Sequence, residues 1–389
     1  MVSIEEKEEL ISICQDLIRI NSTNPPGNEN EVVNYCERIL KGIGAITQVI
    51  QHTPKRSSLI AKWPGKEGGK QILIISHADT VPIGTEAGWK TDPFSAEISD
   101  GKIYGRGASD MKGGIAVAIS ALKQLRRWGD LECTIIFALT ADEESGGIGI
   151  QKLIEPCFDI NPDFVIIPEP TENHIAIAEK GTLWLELVIT GKSCHASSPS
   201  LGTNAIDGMV ELLNKLNFSQ FIKNTHPLLG RFSSCVTNVQ GGIKINIVPD
   251  TCIAALDIRF LPGQSVDEII GSIQNQITEI FHENTAISGE VKILLQREAI
   301  ETKESNPFLK MIVASIKKVK NDVKIIGVSY FTDAAVIVPH FDVPFIICGP
   351  GKIDLMHTDN EFVAIEKLVE SREIFIGLLK SLSNPYSKP

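Results

Sequence analysis

Residues 72–79 read Ile72-Leu73-Ile74-Ile75-Ser76-His77-Ala78-Asp79. An unbroken apolar run, ended by a polar turn, matches a strand buried on both faces of a sheet. Three further runs of this kind occupy 133–139, 164–167 and 345–348, each rich in Ile or Val and flanked by Gly, Pro or polar residues. Between the first two lies GGIAVAISALKQLRR, 113–127, which reads as a helix. Strands alternating with helices predict an α/β domain with a mainly parallel mixed sheet. Upstream, 4–20 and 29–41 read as helices, separated by the Pro25-Pro26-Gly27 break.

The middle of the chain has a different pattern. The stretch 183–190 alternates as a strand, 204–216 is helical, 232–239 and 252–260 are strands, 266–282 is helical and 291–296 is a last strand. The order β-α-β-β-α-β is that of a ferredoxin-like split unit, a compact α+β domain in itself. Beyond it, 306–320 reads as a helix and the 345–348 strand returns to the character of the first domain. We therefore read an insertion: 1–181 and 298–389 form one domain, interrupted by a smaller one at 182–297. The polar tail from 381 to 389 reads as loose.

The residues just beyond each apolar strand carry the chemistry. The first strand leads into His77 and Asp79, the second into Glu143 and Glu144, the third into Glu169, and the fourth into a Gly-Pro-Gly turn and His357. Ligand sites of open α/β sheets lie beyond the carboxyl ends of the strands. Two imidazoles and four carboxylates, without thiolate, suit a divalent ion such as zinc, cobalt or manganese. Asp110 stands just before the 113–127 helix, where an aspartate commonly serves as a cap. Its glycine-rich context lacks the third glycine of a dinucleotide loop.

Composition bounds the remaining possibilities. The chain has 389 residues, 43% hydrophobic and 22% charged, enough for two or three domains. Its net charge of −11 argues against nucleic-acid or anionic-membrane partners. The eight cysteines show no C-x-x-C spacing, which fits a reducing cytoplasm better than a disulfide scaffold or a zinc ribbon. No run reaches the ~20 apolar residues of a membrane span, and the acidic start MVSIEEKEEL lacks the form of a signal peptide.

A set of ordered motifs then identifies a family. They are SHADTVP (76–82), GRGASDMKGG (105–114), TADEESGG (140–147), PEPT (168–171), GKSCHASSPSLGTNAI (191–206), GGIKINIVPD (241–250), DIRFLPG (257–263), and GPG with HTDNE (349–351 and 357–361). With them the chain resembles the dinuclear zinc hydrolases that include acetylornithine deacetylase, succinyl-diaminopimelate desuccinylase, aminoacylase and the glutamate carboxypeptidase. The resemblance implies two divalent ions bridged by Asp110. His77 and Glu169 would complete one site, Glu144 and His357 the other. It further implies that Asp79 orients His77, that Glu143 is the general base, and that the Asp110–Met111 peptide is cis.

In the inserted domain the resemblance assigns His195 to the oxyanion, and Asn246 and Arg259 to the substrate carboxylate. It also implies a homodimer formed through that domain, and a lid role for it. The expected activity is hydrolysis of an N-acyl amino acid or a related small amide bearing a carboxylate. A carboxypeptidase or dipeptidase on the same site is the alternative. A non-catalytic relic would lack Glu143 or a ligand, and none is missing. The stretch Ser329-Tyr330-Phe331-Thr332-Asp333-Ala334-Ala335 departs from the Ser-Asp-Gly-Arg-Phe segment of the desuccinylases, which favours the deacetylase and aminoacylase branch.

Overall fold

The apolar run at 72–75 lies at the heart of a mixed sheet in a computed structural model, which describes residues 2–124, 131–284 and 286–382. The end of the helix read over 113–127 and most of the tail read as loose lie outside the described residues. The sheet order is Ile46–Thr53, Arg56–Trp63, Thr134–Thr140, Gln71–His77, Phe164–Pro170, Phe345–Gly349, Ile175–Glu179 and Ile300–Glu301, with Ile325–Val328 also beside Ile175–Glu179. The four strands read from the sequence are its consecutive parallel centre. Each is buried almost throughout, as expected of strands covered on both faces.

Parallel pairing stops at that centre. The hairpin Ile46–Thr53 and Arg56–Trp63 is antiparallel within itself and to Thr134–Thr140, and Ile175–Glu179 runs antiparallel to Phe345–Gly349. The expectation of a mainly parallel sheet thus holds for the core strands and not for the flanks. The hairpin Ile46–Thr53 and Arg56–Trp63 needs only a short turn, whereas parallel neighbours need a crossover connection.

Because the central strands are parallel, their carboxyl ends share one edge. His77 is in register with Thr140, which precedes Glu143 and Glu144 by one short turn. Pro170, just after Glu169, pairs with Gly349. The helix Gly113–Leu122 is buried along its whole length against the helices Ile4–Arg19 and Ile365–Leu382. Its Gly114 has no room for a side chain, since a Cβ there would collide with the Pro168 carbonyl oxygen. That close approach sets the segment bearing Asp110 beside the strand bearing Glu169.

The chain divides into two units. Met1–Ala178, Glu301–Gly327 and Thr332–Pro389 form the first; Glu179–Ile300 and Val328–Phe331 form the second. The segment Val328–Phe331, read from sequence as part of the first domain, packs with the second. Phe331 explains this: its ring meets Trp184 edge-on at 6.2 Å, with the Arg259 and Arg297 guanidiniums 5.9 Å from its centre.

The second unit holds an antiparallel sheet in the order Ser233–Gly241, Thr251–Phe260, Gly181–Thr190 and Ser288–Arg297. In Thr251–Phe260, Cys252, Ala254, Leu256, Ile258 and Phe260 alternate inward. They form one core with Met209 and Leu212 of Ala205–Lys215 and with Ile269, Ile273 and Ile277 of Val266–Phe281. Both helices start at side-chain caps, Asn204 and Ser265. Among the described residues, no helix is long and apolar enough to cross a membrane.

Candidate metal centre

The strand ends bring two imidazoles to opposite oxygens of one buried carboxylate. His77 Nε2 lies 3.1 Å from Asp110 Oδ1, and His357 Nε2 lies 3.3 Å from Asp110 Oδ2. Each imidazole has its own glutamate, with His77 3.1 Å from Glu169 and His357 3.1 Å from Glu144. Glu169 and Asp110 are buried, and their sequence-distant partners meet only because four strand ends share an edge. The Asp110–Met111 peptide is cis.

The donor chemistry fits a pair of divalent cations. Imidazole nitrogen and carboxylate oxygen, with no sulfur, are borderline-to-hard ligands. His77, Asp110 and Glu144 each offer a ligand atom within 4.8 Å of the others. Glu144 Oε1 and Glu169 Oε2 are buried with no hydrogen-bond partner. Buried acceptors of that kind are costly unless something compensates them, and a cation does so.

Glu143 is also buried, and its carboxyl group makes no hydrogen bond among the described residues. Its backbone is held instead: the amides of Glu143 and Glu144 each donate to the Asp79 carboxylate at 3.2 Å. This differs from the role expected for Asp79. The second ring nitrogen of His77 meets the main-chain carbonyl of Asp79 at 3.0 Å, while the Asp79 carboxylate stands 3.7 Å away. Three N–H donors, the two glutamate amides and Asn24 Nδ2 at 2.8 Å, draw the carboxylate away. Asp79 therefore supports both halves of the site, through its carbonyl and through its side chain.

Sequence reasoning missed the supports behind this. Asn24 Nδ2 also donates to Asp142 at 2.9 Å, and Asp142 meets Arg56, which pairs with the fully buried Glu29. Asp142 has a left-handed backbone, φ 72°, and its Oδ2 accepts from Ile148 N–H. Thr140 donates to Asp333 at 2.5 Å, which places the Thr332-Asp333 segment beneath the same turn. The Asn-Pro-Pro-Gly string marks the first of these in sequence, but only as a helix break.

Without cations the cluster holds protons. Burial raises Glu143 well above the usual carboxylate range, with Glu144, Asp333 and Glu169 adding to the shift. Burial and the Asp110 charge push Glu169 up to about 8 and raise Glu144. Hydrogen bonds to Asp110 and Glu144 push the half-exposed His357 up to about 10. Burial opposes charge on His77, but Glu169 and Asp110 outweigh it and raise its pKa. Asp110 is held low despite its burial by His357 and His77.

These shifts make stability depend on pH. Across pH 5–7 the raised glutamates bind more protons in the folded chain than in the unfolded one, so stability of the metal-free chain falls as pH rises. His77, raised above its ordinary value, adds stability below pH ~6.5 that is lost on further rise, with the same sign. Calorimetry on chelator-treated protein is expected to show the melting temperature dropping from pH 5 to pH 7. Excess zinc is expected to flatten or reverse the trend, because the cation binds the deprotonated ligands of the folded state alone. A melting temperature that climbs over this window without metal would contradict the proton-holding cluster.

The remaining expected residues belong to the second unit. His195 is exposed, with Nδ1 engaged by the Ser197 amide at 3.1 Å and its hydroxyl at 2.8 Å. Asn246 is exposed nearby, its carbonyl accepting from Ala196 N–H at 3.0 Å, and His195 pairs with Ile247. Arg259 is half-buried, with both arms of its fork on Asp257 at 2.8 and 3.0 Å and Nη1 on Thr182 at 2.7 Å. The structure thus gathers His77, Asp110, Glu144, Glu169 and His357 with Asp79 and Glu143 in one unit, and His195 and Asn246 on adjoining segments of the other.

Two imidazoles and three carboxylates thus converge at the strand ends of an α/β sheet. The chain belongs to peptidase family M20/M25/M40, whose model matches residues 73–381. It is 30% identical to an uncharacterized metallohydrolase from Methanocaldococcus jannaschii, over 96% of this chain and 99% of that one. It is 30% identical to an acetylornithine deacetylase from Vibrio atlanticus, over 89% and 90% of the two. The fold is similar to that of an M20 family metallo-carboxypeptidase from Sulfolobus solfataricus, with a TM-score of 0.84 at 20% identity, covering 96% of this chain and 99% of that one. The protein is a hydrolase of amide bonds.

Proposed function

We propose that the chain is a two-cation amidohydrolase that removes the acyl group from an N-acyl amino acid or a related small amide bearing a carboxylate. The observation that carries this reading is the two-sided use of Asp110, with an imidazole and a glutamate gathered at each oxygen and the unligated Glu143 next to Glu144. The acyl preference draws on the similarity to the Vibrio deacetylase and on the Thr332-Asp333 segment.

In this mechanism His77, Asp110 and Glu169 would hold one cation, and Glu144, Asp110 and His357 would hold the other; zinc would suit the donors, with cobalt or manganese as substitutes. When bound, such cations polarise a carbonyl and acidify water. Glu143 takes the proton from the attacking water and delivers it to the leaving nitrogen, because an amine leaves only when protonated. Glu143 is buried, so bulk solvent competes little for that proton. Asp79 fixes the Glu143–Glu144 turn against strand-end motion. His195 supplies a donor to the developing oxyanion, and Asn246 and Arg259 bind the substrate carboxylate. For Arg259, the substrate would replace Asp257 on a fork suited to two oxygens.

The second unit is proposed as a ferredoxin-like lid and dimerisation domain. Its edge strand Ser233–Gly241 is exposed throughout, with Val236 and Val239 on it and Ile243 and Ile245 just beyond it. An exposed edge strand with Val236 and Val239 on it suits pairing with a second copy across a two-fold axis. Sedimentation at micromolar concentration should give the dimer mass; a monomer would count against it. A cytoplasmic location accords with eight free cysteines.

The test of the activity is amine release from a panel of N-acyl amino acids and dipeptides by zinc- or cobalt-loaded enzyme. Cleavage of one acyl class, abolished by a chelator, is expected. Cleavage of dipeptides alone would move the reading to a dipeptidase, and no cleavage of either class would overturn it.

A further inference from the structure

The glutamate that ends the HTDNE motif has no role in the proposed mechanism, yet its carboxylate is among the most heavily used in the first unit. Glu361 is fully buried. Its Oε1 accepts from the amides of Ser109 at 2.8 Å and Asp110 at 3.0 Å. Its Oε2 accepts from the Gly107 amide at 2.9 Å and from Arg106 Nη1 at 2.7 Å. Its own carbonyl accepts from Gly105 N–H at 2.9 Å. The segment leading into Asp110 is therefore wrapped around one side chain from the loop that carries His357.

Arg106 closes the clasp from the other direction. It is 2% exposed, donates through Nη1 to the Thr358 carbonyl and through Nη2 to the Pro82 carbonyl, both at 3.1 Å, and lies over the Trp89 ring at 5.2 Å. Thr358 is the residue after His357, whose backbone sits at φ 60°, a conformation that side-chain-bearing residues seldom adopt without support. Pro82 lies in the loop that follows His77. One buried ion pair thus touches three loops, those following His77, preceding Asp110 and following His357.

We propose that Glu361 and Arg106 are positioning residues that fix the spacing of Asp110 and His357, and so set the affinity and geometry of the cation that those two residues share. The inference rests on the two-cation reading of the site. The chemistry of the pair favours this over simple packing. Burying a charge pair stabilises little by itself, and apolar residues of similar volume usually serve as well. A carboxylate offers what they cannot: two oxygens that accept four N–H groups at once. A glutamine keeps the shape, but its NH2 would face two donors.

The test is Glu361→Gln in the full chain, read by calorimetric titration of the metal-free protein with zinc and by the visible spectrum of the cobalt-loaded protein. The expected result is two cations on the native chain and a roughly 10–100-fold weaker second binding event in the variant, the range typical of lost support behind metal ligands. The cobalt absorption should change with it, while circular dichroism stays native. Native affinity and a native cobalt spectrum in folded E361Q would overturn the inference and leave the two-cation reading standing, and so would a loss of thermal stability alone. A native chain that binds no cation would overturn both. Should E361Q fail to fold, Arg106→Lys keeps the charge but cannot reach Glu361, Thr358 and Pro82 together. It is expected to weaken the same binding event, and native titration of that variant would overturn the inference.

Discussion

Glu143→Ala is expected to lower kcat by roughly 10⁴-fold while both cations stay bound, the upper part of the range for removal of a positioned acid–base group. That corresponds to about 5 kcal/mol of transition-state stabilisation, at 1.36 kcal/mol per factor of ten. KM should change little, because Glu143 meets a proton in flight rather than the resting substrate, so kcat and kcat/KM fall together. The variant should melt close to the native protein, since the side chain removed is a buried carboxyl group outside the expected ligand set. Steady-state kinetics, metal content and a melting curve on one preparation check all three. Turnover within tenfold of native would remove Glu143 from the mechanism.

Asp110→Ala is expected to be as severe for a different reason. Its two oxygens face His77 and His357, so its loss removes a ligand from both positions at once. The affinity for both cations should drop by more than the ~10–100-fold that loss of a merely supporting partner costs. The pKa of His357 should fall back toward the ordinary imidazole range, because its hydrogen bond to Asp110 is the leading cause of its shift. Titration calorimetry and the proton resonance of the ring would show both. If Asp110→Ala kept one cation at native affinity, Asp110 would not be the shared ligand.

Much of this centre was legible in the sequence because parallel sheets impose locality. A strand covered on both faces must be a short apolar run, and its ligand must come directly after it. His77, Glu143, Glu144 and Glu169 are therefore flagged by the strands that precede them. The central strands and the strand–helix order of the second unit were legible for the same reason, through periods of two and of three to four residues.

The features that stayed hidden are long-range or polar. The hairpin Ile46–Thr53 and Arg56–Trp63 escaped because its first strand is largely exposed and its second buries Ser57 and Ser58. The helix Ile365–Leu382 escaped because it buries Ser371 and Arg372 among its apolar positions, which blurs the stripe. Asn24, Arg106 and Glu361 act across tens to hundreds of residues, and a residue that serves a partner so far off leaves no local pattern. The real orientation of Asp79 was likewise decided by distant donors, Asn24 and the Glu143–Glu144 amides, rather than by the neighbouring His77.

In the proposed mechanism five ligands of this chain hold two cations, without which no amide is cleaved. The most direct measurement is amine release from an N-acyl amino acid while chelator-treated protein receives zinc in small steps. No turnover is predicted at zero zinc, with activity rising until two equivalents per chain are bound and lost again on renewed chelation. Full turnover by the metal-free protein, or saturation of activity with no zinc taken up, would contradict the two-cation mechanism.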